Sequence, residues 1–262
     1  MLARRLLACL DVKDARVVKG VRFVGLRDVG DPAELAVRYE SEGADEIVFL
    51  DITATHEGRA TFLDVVRRTA ERLFVPLTVG GGLRTLEDAQ RALRAGADKV
   101  AFNSAPVERP EVLGECAERF GAQCVVASVD AARTPDGWRV VTHGGRRPTT
   151  LDAVEWAREC VRRGAGEILL TSVDRDGGRD GYDLALTRAV ADAVPVPVVA
   201  SGGAGDAAHV VAALTEGGAD AALVAGILHD GVTTVTALKR AMAAAGVHVR
   251  AAAPTSGGNL AC

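Results

Sequence analysis

The 262-residue chain has no marked excess of either charge: 31 Lys and Arg against 35 Asp and Glu leave a formal net charge of −4. Nucleic-acid binding needs a basic stripe or domain, and none is present. No apolar run reaches the roughly 18 residues of a membrane span. The opening Met1-Leu2-Ala3-Arg4-Arg5 leads straight into a strand-like segment and is too short for a signal peptide. The cysteines (Cys9, Cys116, Cys124, Cys160 and Cys262) are odd in number and form no CxxC pair. Reduced thiols in a cytoplasmic protein are therefore expected, with no zinc site. The five histidines have no HExxH or clustered spacing and read as structural or surface residues. Neither a metal nor a cofactor is called for.

What is present is a repeat. Val79-Gly80-Gly81-Gly82-Leu83-Arg84 and the chain down to Phe102-Asn103-Ser104 read as strand end, glycine turn, helix, turn, strand and polar tip. A second copy runs from Ala200-Ser201-Gly202-Gly203 through Gly218-Ala219-Asp220 to Ala225-Gly226, differing by one inserted residue, Gly217. In the first copy Thr85 and Asp88 have the spacing of a capping box, and Leu86, Ala89 and Leu93 form an apolar stripe. The glycines leave backbone N–H groups free to approach a ligand, and a glycine turn before a helix suits an anion such as phosphate. One GG pair after a strand is only a tight turn; two at equivalent places in a repeat point to a duplicated phosphate cradle.

The rest of the chain follows the same rhythm. Asp31-Pro32 predicts an N-cap followed by a proline at the first helical position. Gly43-Ala44-Asp45-Glu46 turns into the strand Ile47 to Asp51, and a helix over about 60–72 follows. The pattern restarts at Cys124, whose strand ends in Asp130 as the first ended in Asp11. The insertion from Ala131 to Thr150 suggests a small hairpin around Trp138 to Val141 and Gly144-Gly145. Eight strand-like runs alternating with eight helices predict an α/β chain with a parallel sheet, closed as a (β/α)8 TIM barrel. The first strand lacks the GxGxxG turn of a dinucleotide fold, which counts against an open, doubly wound sheet. The expected organisation is a single barrel over 1–250, built from half-barrels of about 1–122 and 123–250, with a disordered tail at 251–262.

In such a barrel the active site lies at the C-terminal ends of the strands. Those positions are Asp11, Asp51, Gly80 to Gly82, Asn103 and Ser104, Asp130, Thr171 and Ser172, Ser201 to Gly203, and Ala225 and Gly226. Asp11 and Asp130 occupy equivalent places in the two halves, and so do the glycine cradles. Two opposed cradles and two opposed carboxylates suit an elongated bisphosphate worked on by a general acid and base. Asp51 reads as a supporting residue. Asp174-Arg175-Asp176-Gly177 lacks the further ligands of a calcium loop and reads as a polar, substrate-lining segment.

These motifs resemble the cyclase subunit of imidazole glycerol phosphate synthase, the HisF type. The resemblance is carried by Leu10 to Asp14, Arg16 to Gly20, Leu26-Arg27-Asp28, Gly30-Asp31-Pro32, Phe49 to Ala54, Thr78 to Gly82, Gly96 to Val100, Glu167 to Ser172, Asp174 to Gly177, Gly181-Tyr182-Asp183 and Ala200 to Gly205. It covers about residues 1–250 in order. It implies conversion of the ribulosyl aminoimidazole carboxamide bisphosphate intermediate (PRFAR) and ammonia to imidazole glycerol phosphate and the carboxamide ribotide AICAR, in histidine biosynthesis. By resemblance, Asp11 and Asp130 are the acid–base pair, and Lys19 closes over the substrate from the segment after the first strand. Gly81, Gly82, Asn103 and Ser104 hold one phosphate; Ser201, Gly202, Gly203, Ala225 and Gly226 hold the other, with Thr171, Asp176 and Gly177 also lining the substrate.

Arg5, Glu46, Lys99 and Glu167 lie at strand beginnings, on the opposite face. Buried charges there should be paired, and two of each sign make a balanced ring. By resemblance the ring gates a channel for ammonia from a HisH-type glutaminase subunit, forming a heterodimer with Asp98 near the contact. Three departures stand out: Ala15 where the family usually has Gly, Gly226 in place of Ser, and Gly178 in place of Thr. The competing readings are the sister isomerase barrel of the same pathway and a non-catalytic phosphometabolite-binding barrel. An isomerase needing no ammonia has no use for the charged ring.

Overall fold

Eight short, almost wholly apolar strands line up side by side and close on themselves in a computed structural model that describes residues 2–21, 24–52 and 56–250. The tail at 251–262, and Thr53 and Ala54 of the motif quoted above, lie outside the described residues. In chain order the elements of the first half are β1 (Arg5–Lys13), β2 (Arg16–Val21), β3 (Val24–Gly30), α1 (Pro32–Ser41), β4 (Glu46–Asp51), α2 (His56–Ala70), β5 (Leu77–Gly80), α3 (Leu86–Arg94), β6 (Lys99–Phe102), α4 (Ala105–Glu108) and α5 (Glu111–Phe120). The second half holds β7 (Val125–Thr134), β8 (Gly137–Thr142), β9 (Arg147–Asp152), α6 (Ala153–Arg162), β10 (Glu167–Ser172), α7 (Leu184–Ala191), β11 (Val198–Ser201), α8 (Ala207–Thr215), β12 (Ala221–Val224), α9 (Gly226–His229) and α10 (Val235–Ala244).

Strands β1, β4, β5, β6, β7, β10, β11 and β12 pair in that circular order, every pair parallel, and β12 returns to β1. This is a closed (β/α)8 barrel. Strands covered on both faces read as continuous apolar runs rather than alternating ones. Side chains pointing outward, such as Leu6, Leu10, Ile47, Phe49 and Ile168, pack under the helices in the main core. Those pointing inward form a separate apolar cluster, with Leu7, Val48, Ala101, Val126, Leu169 and Val199 across the lumen.

Local signals set the helix starts. Asp31 accepts from Ala33 N and Glu34 N ahead of Pro32, and Thr85 and Asp88 form the reciprocal capping box. Asp152, Asp183, Asp206 and Thr234 cap α6, α7, α8 and α10 in the same way. Each such cap is worth about 1 kcal/mol. Helix α2 begins four residues earlier than the sequence pattern predicts.

Two departures from the simple βα rhythm matter for the site. The first barrel strand, β1, continues past the barrel rim and turns into an antiparallel ribbon with β2 and β3. Its first turn has Asp14 and Ala15 both left-handed, at φ 49° and 60°, as a tight two-residue hairpin turn requires. At the matching place in the other half, β7 runs beyond Asp130 and forms a meander with β8 and β9. The hairpin expected near Trp138 is thus present and larger than anticipated. The short helices α4 and α9 directly follow the strand tips at Ser104 and Ala225; the sequence pattern did not reveal them.

Candidate functional site

In the eight-strand ring, β1 and β7 are four places apart, so Asp11 and Asp130 stand on opposite sides of the mouth. The same count sets the turn after β5 opposite the turn after β11, and the tip of β6 opposite that of β12. Both aspartates are raised from the ordinary carboxylate value to about 6. For Asp11 burial is the main cause; the Lys19 ammonium opposes it and Asp176 adds to it. For Asp130 burial again leads, opposed by a hydrogen bond from Asn103, reinforced by Asp176 and opposed further by a hydrogen bond from Thr171. Thr171 is the register partner of Asp130 on β10. A carboxyl group with a pKa near 6 can both take and return a proton close to neutral pH.

The second cradle opens into a cleft of about 360 Å³ whose lining includes Lys19, Asp176, Gly177, Ser201, Gly202, Gly203, Ala225 and Gly226, together with Arg27, Arg179 and Asp230. A Cβ added at Gly226 would lie 3.3 Å from Lys19 Cε. The missing side chain at this departure from the family pattern therefore leaves room for the lysine. In the first cradle the Ser104 hydroxyl donates to Asn103 Oδ1 (3.0 Å) and accepts from His143 N (2.9 Å), so the β8–β9 turn is docked onto the polar tip of β6.

The glycines serve the backbone before they serve any ligand. Gly81 has φ 89°, and a Cβ there would lie 2.1 Å from Asp51 O; Gly202, also at φ 89°, would meet Ser172 O at 2.6 Å. In each half the turn crosses the end of the preceding strand too closely for any side chain. Asp51 is buried beneath that crossing. Gly203 likewise abuts Gly181 O, and Gly181 N donates to Gly203 O at 2.9 Å. In the Asp174–Gly177 segment, Asp174 accepts from Arg133 N at 2.7 Å and Arg175 pairs with Asp180 at 2.9 Å. A Cβ at Gly178 would lie 2.7 Å from Asp180 Oδ1, so this departure also accommodates a neighbour.

At the opposite end of the barrel, Arg5, Glu46, Lys99 and Glu167 form a closed cycle. Arg5 binds Glu46 at 2.9 Å and also binds Glu167. Lys99 binds Glu46 at 2.9 Å and Glu167 at 2.7 Å. Thr78 donates to the remaining oxygen of Glu46 at 2.5 Å. Both glutamates are buried, and each carboxylate meets two cations, the condition under which buried charge is tolerated.

Asp98 has a structural duty that its motif shares with two others. Its Oδ2 accepts from Leu77 N (2.8 Å), just as Asp45 accepts from Leu6 N (2.9 Å) and Asp220 from Val198 N (3.1 Å). Asp45 is also paired with Lys239 and Arg250, and Asp220 with Arg4. Among the described residues no cation pairs with Asp98, and it is exposed next to the charged ring.

Four residues of the mouth escaped the sequence reading. Arg27 and Arg179 both pair with Asp230. His229 lies between Tyr39, whose hydroxyl is 2.7 Å from Nδ1, and the Cys9 carbonyl; burial, with help from Lys19, lowers its pKa to about 4. Only the cross-strand register of the ribbon could have flagged Arg27. Asp230 and His229 depend on α9, which has no periodicity to read.

A family model described as histidine biosynthesis protein matches residues 5–234. A subunit from Myxococcus xanthus (strain DK1622) named imidazole glycerol phosphate synthase subunit HisF is 72% identical over 250 residues, covering 95% of this chain and 99% of that protein. A protein of the same name from Anoxybacillus flavithermus (strain DSM 21510 / WK1) is 59% identical over 252 residues, covering 95% of this chain and all of that one. No described helix is long and apolar enough to cross a membrane.

Proposed function

The chain belongs to the family of HisF-type cyclase subunits of imidazole glycerol phosphate synthase, enzymes of histidine biosynthesis, and on that premise we propose how its residues carry the reaction. The observation that supports the reading best is the opposed pair Asp11 and Asp130, both raised to about 6 and each beside a strand end of a glycine-turn repeat. PRFAR spans the mouth with one phosphate on Gly81, Gly82, Asn103 and Ser104. The other rests on Ser201 to Gly203, Ala225 and Gly226, with Thr171, Asp176 and Gly177 along its length.

Ammonia adds to the open-chain carbonyl carbon and loses a proton to one carboxylate, the carbonyl oxygen leaves as water, and the new nitrogen then closes onto the formimino carbon as that carbon's bond to the AICAR nitrogen breaks. The other, protonated, supplies a proton to the departing AICAR nitrogen, and the same two groups move the protons of imidazole ring closure. Lys19, near Asp11 and against Gly226, covers the substrate and neutralises phosphate charge. The low positions of both carboxyl pKa values relative to a lysine, and their elevation above ordinary carboxylates, suit exchange in both directions.

Ammonia arrives from the other end. The lumen above the charged ring is lined by Leu7, Val48, Val126, Leu169 and Val199, which would exclude ammonium but admit neutral ammonia, because an unpaired charge in apolar surroundings is strongly disfavoured. Arg5, Glu46, Lys99 and Glu167 act as the gate, and a HisH-type glutaminase docks on that face. Asp98 offers this partner a carboxylate that has no cation among the described residues of its own chain.

The test is ammonia-driven turnover. The purified chain, given PRFAR and an ammonium salt at alkaline pH, should consume the substrate and release imidazole glycerol phosphate and AICAR without a partner. A folded chain that leaves PRFAR untouched, or consumes it without dependence on ammonia, would overturn the reading.

A further inference from the structure

The ribbon β2–β3 sets Lys19 directly opposite Arg27. Like charges facing each other across a two-stranded ribbon repel, and both line the same cleft as Arg179. Arg179 is held there by its backbone: it is left-handed, at φ 58°, a conformation disfavoured for residues with a side chain. Its carbonyl oxygen is wedged against the loop after β11, 2.0 Å from where a Cβ of Gly205 would be. Its guanidinium then reaches the second cradle, with Nη2 3.5 Å from Gly226 O. Asp230, on the residue after α9, receives Arg27 on one oxygen and Arg179 on the other. Three cations thus converge on one cradle, and two of them are occupied by a single carboxylate.

Resting on the proposed role of this cradle, we propose that Arg27 and Arg179 are ligands of the phosphate monoester bound there, and that Asp230 holds their place until the phosphate takes it. A carboxylate presents two acceptor oxygens to a pair of guanidinium groups much as a phosphate does. Exchange conserves the ion pairs while drawing the ribbon, and Lys19 with it, onto the substrate. The phosphate therefore latches the ribbon from which Lys19 acts.

Inorganic phosphate is the probe, titrated at constant ionic strength into the 15N-labelled chain. The amide shifts of Gly203 and Gly226 report the second cradle, and that of Gly82 the first. Arg179→Gln and Arg27→Gln should each weaken phosphate binding at Gly203 and Gly226 about tenfold, leaving the Gly82 response unchanged as evidence of an intact barrel. Asp230→Asn should tighten binding about three- to tenfold, because it removes the competitor. A purely structural ion pair predicts the reverse or no change. Normal wild-type titration with unaltered affinity in the arginine variants, or unchanged or weaker binding in Asp230→Asn, would overturn the clasp and leave the cradle standing. Absence of any wild-type response at Gly203 and Gly226 would remove the cradle itself. If Arg179→Gln does not fold, Arg27→Gln on the exposed ribbon decides the question.

Discussion

Replacing either mouth aspartate by asparagine should make the protein more stable while it removes the chemistry. Each carboxyl is raised from 3.8 to about 6, mainly by burial. The folded state therefore binds a proton more tightly than the unfolded chain. The stability contributed by that proton is fully present below about pH 4 and is lost as pH rises through 6. At pH 8 each ionised aspartate therefore costs the fold about two pKa units. At 1.36 kcal/mol per unit this is an upper figure of about 3 kcal/mol. Both side chains keep some contact with solvent at the mouth, so about 1–3 kcal/mol is a better expectation. Asparagine preserves the shape and removes the charge, and at position 130 it can keep a hydrogen bond to Asn103 or Thr171. In a chain of this size Asp11→Asn or Asp130→Asn should raise Tm by about 2–10 °C at pH 8, and the gain should vanish near pH 4. Thermal unfolding followed by circular dichroism across that range is the assay. A variant less stable than wild type at pH 8, or a gain that does not change with pH, would refute the reasoning.

Two further outcomes follow from named contacts. Lys99→Met strips one cation from two buried glutamates and should cost about 3 kcal/mol in urea unfolding. In the assembled enzyme it should change glutamine-driven turnover more than ammonia-driven turnover; equal effects would reduce the ring to a structural cluster. Ala15→Gly places at φ 60° the residue that tolerates it, and should stabilise the chain by up to about 1 kcal/mol. A loss of stability in chemical denaturation would mean that the turn is not strained.

Much of the barrel was legible because its determinants are local. Asp31-Pro32, the Thr85/Asp88 box and the glycines that follow α1, α3, α5, α6 and α10 fix element ends through bonds within a few residues. The apolar runs of β4 and β10 require cover on both faces. The strand-end rule then selected Asp11 and Asp130, and the internal repeat set them opposite each other. The charged ring also came through, since Arg5, Glu46, Lys99 and Glu167 each open a barrel strand.

The ribbon of β2 and β3 carries no such local signal. Its strands interleave charged residues (Arg16, Lys19, Arg27, Asp28) with apolar ones, so neither period nor hydrophobicity marks them, and its turn contains Ala15 where glycine would have signalled a hairpin. The true reason for Gly81 and Gly202 was also hidden. It is a close crossing with Asp51 and Ser172, strands away in sequence, that no local pattern reveals. Arg179 and Asp230 meet only because two separate loops converge on Gly226.

The central claim is that Asp11 and Asp130 perform the proton transfers on a substrate anchored by two phosphate cradles. Its most direct measurement is ammonia-driven turnover of PRFAR by Asp11→Asn and Asp130→Asn, alongside the protection PRFAR gives each variant against thermal unfolding. The account predicts that turnover is abolished in both while protection persists. Near-normal turnover in either variant would contradict it.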